Sequence, residues 1–153
     1  MSLWIAHAEQ AISAEIPAPP EVVRDFYVDL DNIKQFHPLV VAVEVLAHDR
    51  TADGYQTTYR VRDRIPLGAL TLPITYWARV RVPARGDVTT EARQFPRVRL
   101  AGTVSFEPVE SGTRLTERLS IEAPRPLAST TVREAVGAHV KMLSGIRDHF
   151  ESR

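Results

Sequence analysis

The 153-residue chain contains no cysteine. That absence excludes disulfides, thiolate zinc sites, iron–sulfur clusters and cysteine nucleophiles together. Lysine is almost missing as well: 17 of the 19 basic residues are arginine, leaving only Lys34 and Lys141. Formal net charge is zero, so composition gives no overall pull toward nucleic acid or membrane. No apolar run approaches the ~20 residues needed to span a bilayer. The opening MSLWIAHAEQ has neither a basic n-region nor an apolar h-region of useful length, so no secretion signal is expected. No glycine-rich strand-to-helix loop is available to cradle phosphate, and no G-x-S-x-G elbow occurs. The histidines at 7, 37, 48, 139 and 149 lack the spacing and grouping of a metal site, so neither metal nor cofactor is expected. There is no repeat, no low-complexity tract and no stretch long enough to be an interdomain linker. The expectation is one cytoplasmic domain over residues 1–153, of ordinary composition at 44% hydrophobic and 25% charged.

What is present is a clear change of hydrophobic period. A first strand is expected from about Trp4 to Ile16, with Ile12, Ala14 and Ile16 alternating. Pro17, Pro19 and Pro20 stop it, and Pro20 suits the first position of a helix. Val23, Phe26, Tyr27 and Leu30 then form one helical stripe. Asp31 is expected to cap a second short helix carrying Ile33 and Phe36, ending near His37-Pro38. From Leu39 to Ala123 the period becomes 2, and turn signals cut this stretch into six strands. The last segment is helical again, with Val132, Val136, His139, Leu143, Ile146 and Phe150 in one seam. Thr131 and Glu134 suggest a capping box, although the helix can start earlier, near Pro126.

The alternation also assigns faces. Tyr59 and Asp63 oppose Arg60, Arg62 and Arg64, and Tyr76 opposes Trp77, Arg79 and Arg81. Val104 is placed opposite Arg97 and Arg99, and Glu117 shares the parity of Leu115, Leu119 and Ile121. Between Tyr59 and Leu100 nine arginines face three acids, an excess of +6 that the remainder must balance. Arg60, Arg62, Arg64, Arg79, Arg81, Arg97 and Arg99 are therefore expected on one outer face, partly paired with Glu91, Glu107 or Glu122. The surviving positive patch offers weak contact to anionic membrane or an acidic partner. With few exposed aromatics and no reading element, it argues against nucleic acid.

An antiparallel sheet with a long C-terminal helix on its apolar face is an α+β arrangement. Two stretches carry a more specific likeness. Residues 14–38, AEIPAPPEVVRDFYVDLDNIKQFHP, lead a strand through prolines into a helix, then an Asp, then an aromatic before Pro. Residues 111–124, SGTRLTERLSIEAP, form a Gly-Thr-Arg-Leu turn exit closing on Pro. In this order they resemble the START-like (Bet v 1-like, polyketide cyclase/dehydrase) superfamily over essentially the whole chain. Phe26-Tyr27 and Phe36 stand where many members carry Trp. The resemblance implies a helix-grip fold: a seven-stranded antiparallel curved sheet around the long C-terminal helix, with two short helices after strand one. It also implies a cavity for a hydrophobic or amphipathic small molecule, but no particular reaction.

On that fold, Tyr59, Asp63, Tyr76, Glu117 and His139 are the expected polar contacts, with Phe36, Val104, Val136 and Leu143 as apolar wall. The short second helix and the Ile65–Leu70 loop are the expected gate. The leading expectation is binding or carriage of a lipid, isoprenoid, quinone or polyketide. The alternative is an aromatic polyketide cyclase or dehydratase, with His139 and Glu117 or Asp63 as an acid–base pair. Each polar residue also has a purely structural explanation, and a cavity collapsed by side chains is the third reading.

Overall fold

Residues 4–153 are described by a computed structural model. The chain runs β1 (Ile5–Ile16), α1 (Pro20–Tyr27), α2 (Leu30–Ile33), β2 (Val40–Arg50), β3 (Gly54–Leu67) and β4 (Leu70–Pro83). It continues through β5 (Val88–Gln94), β6 (Val98–Val109) and β7 (Gly112–Pro124) to α3 (Arg125–Glu151). All seven strands join one antiparallel sheet in the order β1-β7-β6-β5-β4-β3-β2. The six strands after the helices form a meander, and β1 closes onto β7 with Ile16 opposite Thr113. The curved sheet and long C-terminal helix match the expected α+β helix-grip architecture.

The strand faces follow the alternation. Tyr59, Val61 and Asp63 on β3 are buried, whereas Arg60, Arg62 and Arg64 are exposed. On β7, Thr113, Leu115, Glu117, Leu119, Ile121 and Ala123 all point inward. α3 packs across β1 and β7, burying Ala138, Met142, Leu143, Ile146 and Phe150. Gly112 is required at the β6–β7 turn: its φ is 141°, and a Cβ there would lie 2.2 Å from the Ile16 carbonyl oxygen. Among the described residues no helix is long and apolar enough to cross a membrane.

Several local expectations are corrected. The second helix is capped by Asp29, not Asp31: the Asp29 carboxylate accepts the Asp31 N–H at 2.9 Å, while Asp31 pairs with Lys34. α2 ends at Ile33, so Phe36 lies in the following turn, and Leu30 belongs to α2 rather than to the α1 stripe. Helix α3 starts at Arg125, which bears out the earlier start near Pro126 and not the capping box: Pro124 is its N-cap and Pro126 lies in its first turn, where a missing N–H is harmless, so Thr131 and Glu134 sit inside the helix and form no cap.

The Ile65–Leu70 stretch is not a loop but the tip of the β3–β4 hairpin, with only residues 68–69 in the turn. Pro66 and Pro73 fit the ladder because they sit opposite Thr71 and Arg64, one and three positions from the closing Leu67–Leu70 pair. In an antiparallel ladder such alternate positions exchange no cross-strand hydrogen bonds. The Arg64 N–H accordingly turns away from Pro73 and donates to Leu39 at 2.8 Å. Arg97 lies in the Phe95–Arg97 turn rather than on the outer strand face, and β6 begins at Val98. Three of the remaining outer arginines are paired, Arg99 with Glu91, Arg60 with Glu44 and Arg81 with Asp53, and Arg93 of β5 also meets Glu91. Arg79 stacks 5.0 Å over Trp77.

Candidate functional site

Three elements converge on Glu117. Its place on β7 directs the side chain toward the helix layer, where it is 1% exposed. An isolated carboxylate buried this deeply would stay protonated or destabilise the fold by several kcal/mol. Here both oxygens are occupied: the Tyr27 hydroxyl, from α1, donates to Oε2, and His139, from α3, lies with Nδ1 2.9 Å from Oε1. The carboxylate thus fixes the imidazole with Nε2 as its remaining nitrogen. Burial and the Glu117 charge together hold the Tyr27 hydroxyl well above its usual range. Burial pulls His139 down, but attraction and hydrogen bonding from Glu117, with help from Asp63, raise it overall.

A second polar pair lies across the β3–β4 hairpin. Asp63, 6% exposed, accepts a hydrogen bond from the Tyr76 hydroxyl at 3.3 Å. Burial raises Asp63 to about 6, against the opposing pull of Tyr76 and His139. Burial and the Asp63 charge push the Tyr76 hydroxyl well above its usual range. His37 completes the group from the turn after α2. Its ring meets His139 edge-on, with centroids 5.2 Å apart at 84°. The Leu39 N–H points at His37 Nδ1 from 3.4 Å. Burial, then repulsion from His139, lowers His37 to about 3, so it stays neutral at physiological pH.

These groups border an apolar cavity between the sheet and the N-terminal half of α3. Its main chamber is about 680 Å³, within the range that holds a drug-sized molecule. Ile65, Leu72, Ile74, Leu100, Ile121 and Leu127 supply apolar wall. A smaller chamber of about 100 Å³ adjoins it on the side of Val61, Val80 and Met142. His37, Tyr76 and His139 line both chambers and form the polar boundary between them. Among the described residues no three His, Asp or Glu side chains are grouped so as to hold a metal ion.

The expected site residues therefore divide. Asp63, Tyr76 and His139 line the cavity, and Glu117 stands directly behind His139. Tyr59, Val104 and Leu143 are buried in the packed core, Tyr59 donating to the Val28 carbonyl at 3.3 Å. Phe36 joins an aromatic group with Phe26 and His149, away from the cavity wall. Val136, partly buried on α3, is also absent from the wall. The expected gate segments do border the cavity, through Ile65 and Leu72 of the hairpin and through His37 and Leu39 after α2.

Tyr27, His37, Leu100, Glu134 and Met142 are not among the site residues expected from sequence. Tyr27 carried a usable signal, because a buried tyrosine needs a partner for its hydroxyl. His37 lies in a turn with no periodicity to place it.

Comparisons with known proteins agree with this architecture. The family described as polyketide cyclase / dehydrase and lipid transport matches residues 7–151. A Thermus thermophilus protein, TTHA0849, superposes with a TM-score of 0.70 at 21% identity, covering 97% of each chain. A START superfamily protein from Mycobacterium smegmatis gives 0.66 at 16% identity, covering 94% of this chain and 97% of its own. The Zhui aromatase/cyclase from a Streptomyces species gives 0.63 at 16% identity, covering 94% of both chains. No curated protein sequence matches the chain.

Proposed function

Since this chain belongs to the polyketide cyclase/dehydrase and lipid transport family, we propose that it binds and carries a hydrophobic or amphipathic small molecule in the cavity between sheet and α3. The observation that carries this reading is the chamber of about 680 Å³, apolar over most of its wall and polar at one boundary. Burial of the ligand's apolar surface supplies affinity, at roughly 25 cal/mol per Å². Asp63, Tyr76 and His139 orient its polar end, and Glu117 holds His139 in place. The chain acts as one domain over residues 1–153, in the cytoplasm. Any contact of the outer arginine face with anionic membrane or an acidic partner is weak and secondary, because Glu44, Asp53 and Glu91 already engage Arg60, Arg81 and Arg99 of that face, and Arg93 beside it.

The test is native mass spectrometry of the purified protein, followed by solvent extraction. A co-purifying apolar species near one per chain is the expected result. A protein that is empty and also fails to take up fluorescent apolar probes would refute the reading in favour of a closed core.

One observation favours a second reading, cyclisation with dehydration. The imidazole held by Glu117 faces the cavity 5.2 Å from His37, with Asp63 at the same boundary. Neutral His139 Nε2 can take a proton from a carbon beside a carbonyl and return it to a departing hydroxyl, forming a double bond and water. His139→Gln should then abolish turnover of an aromatic polyketide precursor while leaving binding of apolar probes intact. Equal turnover by wild type and variant removes this reading.

A further inference from the structure

Arginine is abundant in this chain, yet none lines the main chamber. The carboxylates that do line it are Asp63, near its inner end, and Glu134 on α3. Glu117 stands behind His139 and balances that imidazole when it is protonated. His37 stays neutral, because burial and the neighbouring His139 both oppose its charge. In the smaller chamber the cations at the edge are Lys34 and Arg79. Lys34 is paired with Asp31 at 2.6 Å, and Arg79 lies over Trp77.

Thr75, Gln94, Thr130 and Thr131 add neutral polar groups to the wall, whereas the open sites beside the histidines belong to Asp63 and His139. Both Glu117 oxygens are taken by Tyr27 and His139. Asp63 Oδ1 receives the Tyr76 hydroxyl, whereas Oδ2 has no protein partner among the described residues and is not sealed from the cavity. His139 Nε2 is likewise open. A ligand hydroxyl can donate to Asp63 Oδ2 and engage His139 Nε2. An amine can donate to Asp63 with favourable charge. A carboxylate or phosphate at the same place would meet Asp63, with no lysine or arginine lining the chamber and with the His139 imidazole, when protonated, already balanced by Glu117.

We propose that the chamber selects apolar molecules whose polar end is an uncharged hydroxyl or a cationic amine, and rejects those ending in a carboxylate or phosphate. This rests on the cavity-binding reading above. The selection separates alcohols, phenols and enols from fatty acids and phosphorylated lipids built on the same carbon skeleton.

Four fluorescent probes sharing one rigid body test it: pyrene, 1-pyrenemethanol, 1-pyrenemethylamine and 1-pyrenecarboxylate, titrated against the full chain at pH 7.5. The methanol and methylamine should bind at least about tenfold more tightly than the carboxylate, as expected for a like charge met without compensation. Equal or tighter binding of the carboxylate overturns the selection while leaving the cavity reading standing. Failure of all four to bind overturns both. Asp63→Asn should narrow the gap by strengthening carboxylate binding at least about threefold, since it removes the like charge and keeps the hydrogen-bonding shape. An unchanged gap overturns the assignment of selection to Asp63.

Discussion

Substituting Tyr27 by Phe tests how much the hydroxyl donated to the buried Glu117 side chain contributes to stability. The ring would keep its edge contact with Phe106, whose centroid is 5.6 Å away, so little apolar packing is lost. What disappears is one hydroxyl donating to a carboxylate that is 1% exposed and that no water can readily reach. Hydrogen bonds to charged groups contribute about 1.5–3 kcal/mol. For a chain of this length each kcal/mol shifts the melting temperature by roughly 2–4 °C, so Tyr27→Phe should lower it by about 3–12 °C. Tyr59→Phe is the matched control. Tyr59 is also buried, but its hydroxyl meets a neutral carbonyl, Val28, at 3.3 Å. That bond is worth about 0.5–1.5 kcal/mol at most, or roughly 1–3 °C at the weaker end expected from its length. Calorimetric melts of wild type and both variants at pH 7 give the comparison. A Tyr27→Phe melt within about 1 °C of wild type, or a larger loss for Tyr59→Phe, would refute the argument.

Asp63 rises to about 6 on folding, so ionising it opposes the native state, and stability falls as pH climbs from about 4 to about 6. Asp63→Asn, in a site also facing Tyr76 and His139, should therefore stabilise the protein at pH 8 by up to about 3 kcal/mol and confer no such gain below pH 4; equal effects at both pH values would count against this. Glu117→Gln should lower the His139 titration, followed by imidazole NMR, because burial then acts without the countering carboxylate. Since the pair raises His139, the wild-type stability advantage over that variant should be greatest at low pH and shrink as pH rises through the His139 titration. An unmoved His139 would show that Glu117 is not its main partner. On α3, Gly137→Ala should add about 0.5–1 kcal/mol of helix stability, because a Cβ there meets nothing within 4 Å. Gly145→Ala should instead destabilise by about 1–3 kcal/mol, since its Cβ would lie 2.7 Å from Phe36 Cδ1; equal melting shifts for the two alanines would contradict this placement.

The period of the apolar pattern was enough to build most of the fold. Alternation along β3, β4 and β7 turned Asp63, Tyr76 and Glu117 inward, because successive strand side chains must take opposite faces. The four-and-three spacing of Leu143, Ile146 and Phe150 placed His139 on the same stripe of α3. Local chemistry misled in two places, each where a neighbour outweighed a short motif: Asp29 reached the α2 cap before Asp31, and the hairpin register absorbed Pro66 without a loop. At α3 the two signals competed, and the proline start near 126 prevailed over the Thr131–Glu134 box.

Parity gives a direction, however, and not a depth. Val104 and Glu117 sit opposite each other in the ladder, and both face inward. Whether an inward residue meets packed core or open cavity depends on where α3 crosses the curved sheet and how far it stands off. Where α1 closes against the sheet, Tyr59, Val104 and Leu143 are packed solid. Toward the N-terminal half of α3, Ile74, Leu100 and Asp63 are left along a chamber. The sequence by itself determined the elements, their faces and the polar residues turned inward. Only the tertiary structure decided which of those residues share a space, because that depends on the gap between layers, which no local pattern encodes.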